Sequence, residues 1–549
     1  MIKNHSIGWI LFALFTLPLL SRANEPPLIV KPKKNEDYEK QIYSPADIEP
    51  IPQEISVDKK SGTISSIHFL GGGAIDLVDL AKVVDFLTHQ SYSEPLLKDA
   101  LERINQLYQE KGIALSYATI QKNHFMDGKL TITLVEGYIA RTEIIATHPS
   151  IKERVAHILE PLVNERPLTQ KRLDRAVYLL NQIPGYRFSI ALPRPKTLSG
   201  ATSIRTTVQE RQVFEPFVGF SSQKNADKNM SVGLQIHPAL GYIDTLIVSG
   251  LVPLESQEKE EYYSVGIQSD WQMNGLKSRL MADYFSDENR ETLTFNNGEM
   301  DYSHHLNRKS ISLALSYPML IRQDQQLLLK SSVLYEKESR KYDFHALGSL
   351  NEKLHYGLAN LYIDYYKIKE SMIFFTNLGV NTSITPWFDY QSEINSSDRY
   401  DEDFIFYEAN LYGSYETNTR WVMSFKANAI YSQDHLVSSQ QPSYGGFYYG
   451  RGYKEGELKG DQGVGAEIKV MKKLQLREYY FNPYLVFDYA YIDHVEPSLL
   501  AHDDIASFAV GSEMGIGEQL NIGLEYAEPM RDRDKHSGGI YNLKIVWQL

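Results

Sequence analysis

From residue 213 to the C-terminus the chain alternates apolar and polar residues with period two, segment after segment. Ser231-Val-Gly-Leu-Gln-Ile236, Tyr263-Ser-Val-Gly-Ile-Gln-Ser-Asp-Trp271 and Ile311-Ser-Leu-Ala-Leu315 all follow the rule. The last residues show it best: Tyr541, Leu543, Ile545, Trp547 and Leu549 fall on one face, Asn542, Lys544 and Gln548 on the other. This period predicts strands with two unlike faces. A strand apolar outside and polar inside suits a membrane barrel, where each backbone group must pair within the closed sheet. Sixteen strands of about 10 residues would take up roughly half of the region.

Residues 62–212 carry a different period. Leu97, Ala100, Leu101, Ile104 and Leu107 recur at helical spacing, as do Leu173, Ala176, Val177 and Leu180. The octet Ala100-Leu-Glu-Arg-Ile-Asn-Gln-Leu107 returns as Ala176-Val-Tyr-Leu-Leu-Asn-Gln-Ile183, an offset of 76 residues. Ser93 with Pro95, and Thr169, mark helix starts, and Pro184-Gly185 marks the second stop. Strand-like pieces flank each helix: Thr63–Leu70, Ala114–Gln121 and Leu130–Val135 in the first copy, Arg141–Ala146, Arg187–Leu192 and Ser203–Gln209 in the second. With a further helix in each copy, the order β-α-α-β-β is used twice and predicts two small α+β modules in tandem.

The N-terminus reads as an export signal. Lys3 and His5 precede an apolar run from Ile7 to Leu20, and Ser21-Arg22-Ala23 is a small-x-small cleavage pattern. Residues 24–60 are proline- and charge-rich and predict a linker with a short helix near 36–42, a candidate plug for the pore. The expected organisation is therefore a leader at 1–23, a periplasmic linker at 24–60, modules at 61–138 and 139–212, and a transmembrane barrel at 213–549.

Composition narrows the function. The net charge of −13 argues against a nucleic-acid partner, and the absence of cysteine removes disulfides, thiolate metal sites and thiol nucleophiles together. Tyrosine is abundant at 37 residues, and four of the five tryptophans (Trp271, Trp387, Trp421, Trp547) lie in the C-terminal part, as aromatics do at a membrane interface. No His-Glu-x-x-His, nucleophile elbow or Ser/His/Asp grouping is present, so an enzyme is not expected. Gly71-Gly-Gly73 has Asp76 where a dinucleotide fingerprint needs its third glycine, and reads as a turn. His304-His305 beside Asp301 reads as a turn pair, and the acidic stretch Ser397–Asp403 as a solvated loop without ordered calcium spacing. No metal or cofactor is expected.

One segment breaks the alternation. Ser443-Tyr-Gly-Gly-Phe-Tyr-Tyr-Gly-Arg-Gly-Tyr-Lys-Glu-Gly-Glu-Leu-Lys-Gly-Asp461 packs six glycines and four tyrosines around the single arginine, Arg451. It is too rich in glycine for a strand and predicts a long loop folded back against something.

These motifs together carry a family resemblance. With Arg166-Pro-Leu-Thr before its helix and Leu179-Leu-Asn-Gln-Ile-Pro-Gly185 after it, the tandem resembles two POTRA modules, the second in the version of two-partner secretion transporters. Pro193-Arg-Pro-Lys196 departs from the proline-glycine more usual there. In the barrel, Ser316-Tyr-Pro-Met-Leu-Ile-Arg322 resembles the family's strand-turn-strand, with Pro318 expected to end pairing at the periplasmic side. Gly450-Arg-Gly-Tyr453 stands where the family has Val-Arg-Gly-Tyr/Phe, at the tip of the sixth extracellular loop, and Lys459-Gly-Asp-Gln-Gly463 resembles that loop's return. Val486-Phe-Asp-Tyr-Ala490 stands where the family has Phe-x-Asp-x-Gly on an inward-facing strand, departing at Val486 and Ala490.

The chain thus resembles a TpsB outer-membrane transporter of the haemolysin secretion/activation type over nearly everything after the linker. The resemblance implies two POTRA modules before a 16-stranded antiparallel barrel and, as partner, a large secreted TpsA-type exoprotein, unfolded in the periplasm. It also implies a loop tucked into the lumen, with Gly450, Arg451, Gly452 and Tyr453 as a latch against Phe487 and Asp488 of the wall. Gly450 in place of valine implies a looser tip. An outer-membrane assembly factor shares this architecture and is the alternative, although such factors usually carry more modules.

Overall fold

The computed structural model describes Asp47–Ile48 and residues 62–548, apart from short stretches at 122–123, 211–212, 224–228, 238–243, 255–258, 271–273, 296–297, 323, 345–347, 394–399, 496–501, 517–519 and 532–538. The expected leader and the helix near 36–42 lie outside these residues. The chain forms two compact units, one from Lys40 to Arg211 and the other holding nearly all of Gln212–Leu549.

In the first unit, β1 (Ser66–Leu70), α1 (Leu77–Val84), α2 (Glu94–Glu110), β2 (Tyr117–Thr119) and β3 (Lys129–Val135) form one module. In the next, β4 (Tyr138–Ile145), α3 (Pro149–Leu159), α4 (Gln170–Asn181), β5 (Tyr186–Leu192) and β6 (Ala201–Glu210) repeat the order. The pairing repeats as well: the third strand is central, parallel to the first and antiparallel to the second. On α2 the residues Leu97, Ala100, Leu101 and Ile104 are buried against Leu130, Ile132 and Leu134, as their spacing predicts. Asn105 in the repeated octet is also buried, and its Oδ1 accepts from the Ala118 N–H at 2.8 Å, tying α2 to β2.

The Gly71-Gly-Gly73 turn is a junction inside the module. Gly71 and Gly72 have φ of 77° and 79°, which side-chain-bearing residues rarely adopt. Their turn aims the Gly73 and Ala74 N–H groups at Glu136 Oε1, each at 2.8 Å, and the Tyr108 hydroxyl joins at 3.3 Å. Asp76 caps α1 by accepting from the Val78 N–H at 3.1 Å. The modules meet beside this turn: the Ala114 N–H donates to Leu168 O and the Gln170 N–H to Gly112 O, both at 2.8 Å. The Pro193-Arg-Pro-Lys196 departure belongs to the same junction, where the Tyr117 hydroxyl donates to Pro195 O at 2.7 Å and Arg194 lies 6.0 Å from the Tyr117 ring centroid.

Part of the proline-rich segment is structured, against expectation. Asp47 and Ile48 pair in parallel with Ala191 and Leu192, adding a two-residue strand to the open edge of β5. Free edges recruit extended backbone whatever the segment's helical or proline content nearby.

The second unit is a closed antiparallel barrel. Its first strand, Phe214–Gln223, pairs with Asn229–Ile236 on one side and with the C-terminal strand Ile540–Gln548 on the other. Among the described residues the ring holds 16 strands once the short Asp389–Ser392 and Leu474–Leu476 pieces are merged with their neighbours. Closure removes every unpaired edge. Leu361, Leu378, Ile468 and Trp547 point outward and are exposed, whereas Asp364, Asn377, Asn410 and Asn428 point inward and are buried. The inward amides form a hydrogen-bonded chain across four strands, from Asp364 through Asn377 and Asn410 to Asn428, with links of 2.6, 3.2 and 2.8 Å. The exterior is apolar along this alternation, and the interior carries these polar chains beside buried apolar side chains such as Val486 and Ala509.

Strand lengths differ from expectation. Gly298–Arg322 has 25 residues and Gly348–Lys369 has 22, about twice what a bilayer requires. His304-His305 is therefore not a turn pair but part of a continuous strand, where His304 stacks on Tyr342 at 4.8 Å. Pro318 stands just past the end of pairing on one side, as expected, although its strand runs on. Pairing with the preceding strand stops at Ser316, and the chain stays extended to Arg322 beside the next one. Proline is tolerated there because the ladder on one side has already finished.

Glu136→Ala should free the glycine turn without unfolding the module. Removing a charged acceptor of two backbone donors should cost about 1–2 kcal/mol locally, seen as roughly tenfold faster hydrogen exchange at Gly73 and Ala74 in the detergent-solubilised protein.

Candidate functional site

The glycine-tyrosine segment forms a hairpin whose base pairs Ser443-Tyr444 with Leu458-Lys459. Its tip lies inside the barrel. Tyr444, Tyr453 and Leu458 are buried in a cluster with the inward-facing Ala490, Ile492 and Ile505. Two glycines set the approach of the tip to the wall. Gly450 has φ 118°, outside the range of side-chain-bearing residues. Gly452 lies so close to the wall that an added Cβ would sit 2.5 Å from Pro529 N and 2.7 Å from Glu528 C.

Between them Arg451 is buried and faces three carboxylates. Glu467 lies on the strand Gln462–Lys472, Asp488 on Tyr479–Asp493 and Glu525 on Leu520–Pro529. Glu467 and Asp488 are direct cross-strand partners in the register, two acids side by side on the same inner face. Like charges in this relation repel and destabilise the pair unless a cation intervenes. Arg451 supplies it by splitting its planar fork: Nη2 donates to Glu467 at 2.6 Å and Nη1 to Glu525 at 2.7 Å. Lys426 adds a second cation 3.4 Å from Glu467. Burial alone would favour the neutral guanidine. The Glu467 and Glu525 carboxylates overcome it and hold Arg451 charged well above the ordinary arginine range.

Asp488 does not take the fork. Arg451 Nε stands 3.7 Å from Asp488 Oδ2, near enough for charge attraction but beyond hydrogen-bond length. Asp488 instead accepts from the Gly450 N–H and the Ser507 hydroxyl, each at 2.6 Å. Gly450 is thus bonded to the aspartate through its backbone. Tyr453 completes the fastening: its hydroxyl lies 2.9 Å from Arg531 O and accepts from the Arg531 N–H at 3.1 Å. Glu525 is further held by the Tyr484 hydroxyl and by Asn542 Nδ2, both at 3.0 Å.

The structure brings Gly450, Arg451, Gly452, Tyr453 and Asp488 together, and separates Phe487 from them. Asp488 is fully buried on the lumen side while Phe487 is 45% exposed on the outer face. Consecutive strand residues face opposite ways, so a single strand cannot offer both. Sequence reasoning missed Glu467 and Glu525. Each had a signal, a carboxylate at an inward position between apolar outward ones: Ala466-Glu467-Ile468 and Leu524-Glu525-Tyr526.

Two α+β modules stand ahead of a closed 16-strand antiparallel barrel of the membrane-spanning kind, with a loop held inside it through a buried arginine. The chain belongs to the family of haemolysin secretion/activation proteins ShlB/FhaC/HecB, whose profile matches residues 200–514, and a ShlB-type POTRA domain matches residues 63–137. It is accordingly an outer-membrane transporter of two-partner secretion, with its modules in the periplasm. Among solved structures it is similar in fold to CdiB from Escherichia coli, with 15% identity over 94% of this chain and 96% of that one and a TM-score of 0.66. CdiB from Acinetobacter baumannii is similar too, at 14% identity over 94% and 96% of the two chains and a TM-score of 0.61. No curated protein matches the sequence.

Arg451→Lys should keep the charge and lose the fork, leaving at least one buried carboxylate without its donor at a cost of about 3–5 kcal/mol. Gly452→Ala should reach a similar end by pushing the tip off Pro529. Heat-modifiable migration of the folded barrel on gels should show both variants inserted and both unfolding at lower temperature than the parent.

Proposed function

We propose that this transporter moves a large TpsA-type exoprotein, unfolded in the periplasm, across the outer membrane, and that the Arg451 loop is the closure that yields during transport. The observation that carries this reading is the loop's fastening. A cation from one loop is shared among carboxylates of three wall strands, so a single side chain ties the loop to all three.

Capture in the periplasm is supported by the first module. Its strand β1 pairs on one side only, and Leu70 at its end lies exposed beside the exposed Leu77 and Val78 of α1. An open edge next to an apolar surface suits an extended polypeptide, whose backbone adds a strand and whose side chains find an apolar bed. This mode needs no fixed sequence, as befits an unfolded client. The pore's exterior meets outer-membrane lipid through the exposed apolar band. Folding of the client outside supplies the direction of transport.

Arg451→Ala should abolish release of the partner while the barrel remains inserted. The readout is the amount of partner at the cell surface and in the medium, with the partner taken as the large exported protein encoded beside this gene. Normal release by the variant overturns the loop's role. Surface delivery in a strain lacking the transporter overturns the transport reading itself.

A further inference from the structure

The loop that carries Arg451 is also fastened to a second part of the wall, upstream of its tip. Leu436 and Val437 are fully buried against Leu354, Tyr356, Leu358, Phe404, Phe406 and Ile430. These wall residues form an apolar seat on the inner face, beside the polar chain from Asp364 to Asn428. Barrel lumens are normally polar, so a seat of this kind calls for an occupant, and the loop provides one.

Next to the seat is a hydrogen-bond node. The Tyr356 hydroxyl, fully buried, donates to Glu336 Oε1 at 2.9 Å. Gln440 Nε2 donates to that hydroxyl at 2.6 Å, and Ser439 Oγ lies 2.8 Å from it. Glu336 has Arg308 at 3.4 Å and acts as an acceptor. Tyr356 has one proton to give and two lone pairs. Its proton goes to Glu336, so Ser439 must be the donor, and every position of the hydroxyl is used.

The two fastenings take different stretches of the wall. Leu436 and Val437 lie against residues of Gly348–Lys369 and Trp421–Ser432 and against Phe404 and Phe406, whereas Arg451 meets Gln462–Lys472, Tyr479–Asp493 and Leu520–Pro529. Between them the loop follows the wall: the Tyr444 hydroxyl donates to Asn428 Oδ1 at 3.0 Å.

We infer that Leu436–Gln440 is a second latch, that Tyr356 is the positioning residue which sets it, and that the lumen clears only when both stretches of wall release the loop. This rests on the reading of the loop as the closure that moves in transport. Unlike the Arg451 latch, the second one is mostly apolar. Its release strips Leu436 and Val437 from their seat, which favours the closed state in the absence of a client.

The chain has no cysteine, so an engineered pair supplies the only thiols. Full-length Glu336→Cys/Ser439→Cys flanks the Tyr356 hydroxyl and can be bridged by a short bis-methanethiosulfonate that reductant cleaves. Bridging should suppress channel openings in planar bilayers in KCl and lower partner release at least tenfold, and reductant should restore both. Tyr356→Phe, which keeps the ring and removes the node, should raise the open fraction about tenfold, and combination with Arg451→Ala should raise it beyond either single change. Failure of the pair to bridge, normal release by the bridged protein, or an unchanged open fraction in Tyr356→Phe overturns the second latch. The bilayer readout uses ions alone, so it judges the latch even where surface delivery without the transporter has overturned the transport reading.

Discussion

Three carboxylates share the inner wall, with Lys426 and Lys469 as the wall's own cations near Glu467, and this is the constraint around which the loop is arranged. Glu467 and Asp488 face each other across one strand pair, and Glu525 stands two strands further on. In a confined lumen the repulsion between such groups is far stronger than in water. A further cation enters from outside the sheet, and the loop brings it. Arg451 is suited to this because its fork is flat, permanently charged and able to give protons in two directions at once. The loop's position is thus encoded twice, once in its own glycines and once in the acids that await it.

The same constraint explains why the backbone of the tip is so specialised. A guanidinium can bond Glu467 and Glu525 together only if its own backbone lies against the wall. Gly452 allows that contact at Pro529, and Gly450 turns so that its N–H meets Asp488. The aspartate therefore recognises backbone while the glutamates recognise side chain. Each of the three acids has its own donor, and a buried charge left without one would carry a heavy desolvation cost.

Much of this was legible in the sequence. Period-two alternation gave the strands and their faces, the repeated octet gave the paired modules, and the excess of glycine marked the loop and its arginine. The division of labour among the acids was not legible, because it depends on strand register and a one-residue slip exchanges inner and outer faces. Glu467 opposes Asp488 only in the folded sheet, and Glu525 is far away in the chain. Phe487 illustrates the same limit from the other side: adjacency to Asp488 in sequence guarantees that it points away. The Asp47-Ile48 strand was hidden for a different reason, since edge pairing is supplied by β5 and leaves little mark on the segment that joins it.

If the loop yields in transport as proposed, its shared cation has a consequence for how it opens. Because the fork is divided, moving either glutamate strand breaks only half of the contact, and the remaining half still holds the loop. Withdrawing the loop breaks both halves together and leaves three acids facing an open lumen, where water can enter and hydrate them. Hydration lowers the cost of the separated charges, whereas in a dry lumen that cost would be prohibitive. On that proposal opening is coupled to wetting: the contact weakens as water reaches the separated charges. Such a contact behaves as a switch with two states rather than as a spring, which is what a pore needs if it must stay shut between clients and open fully for one.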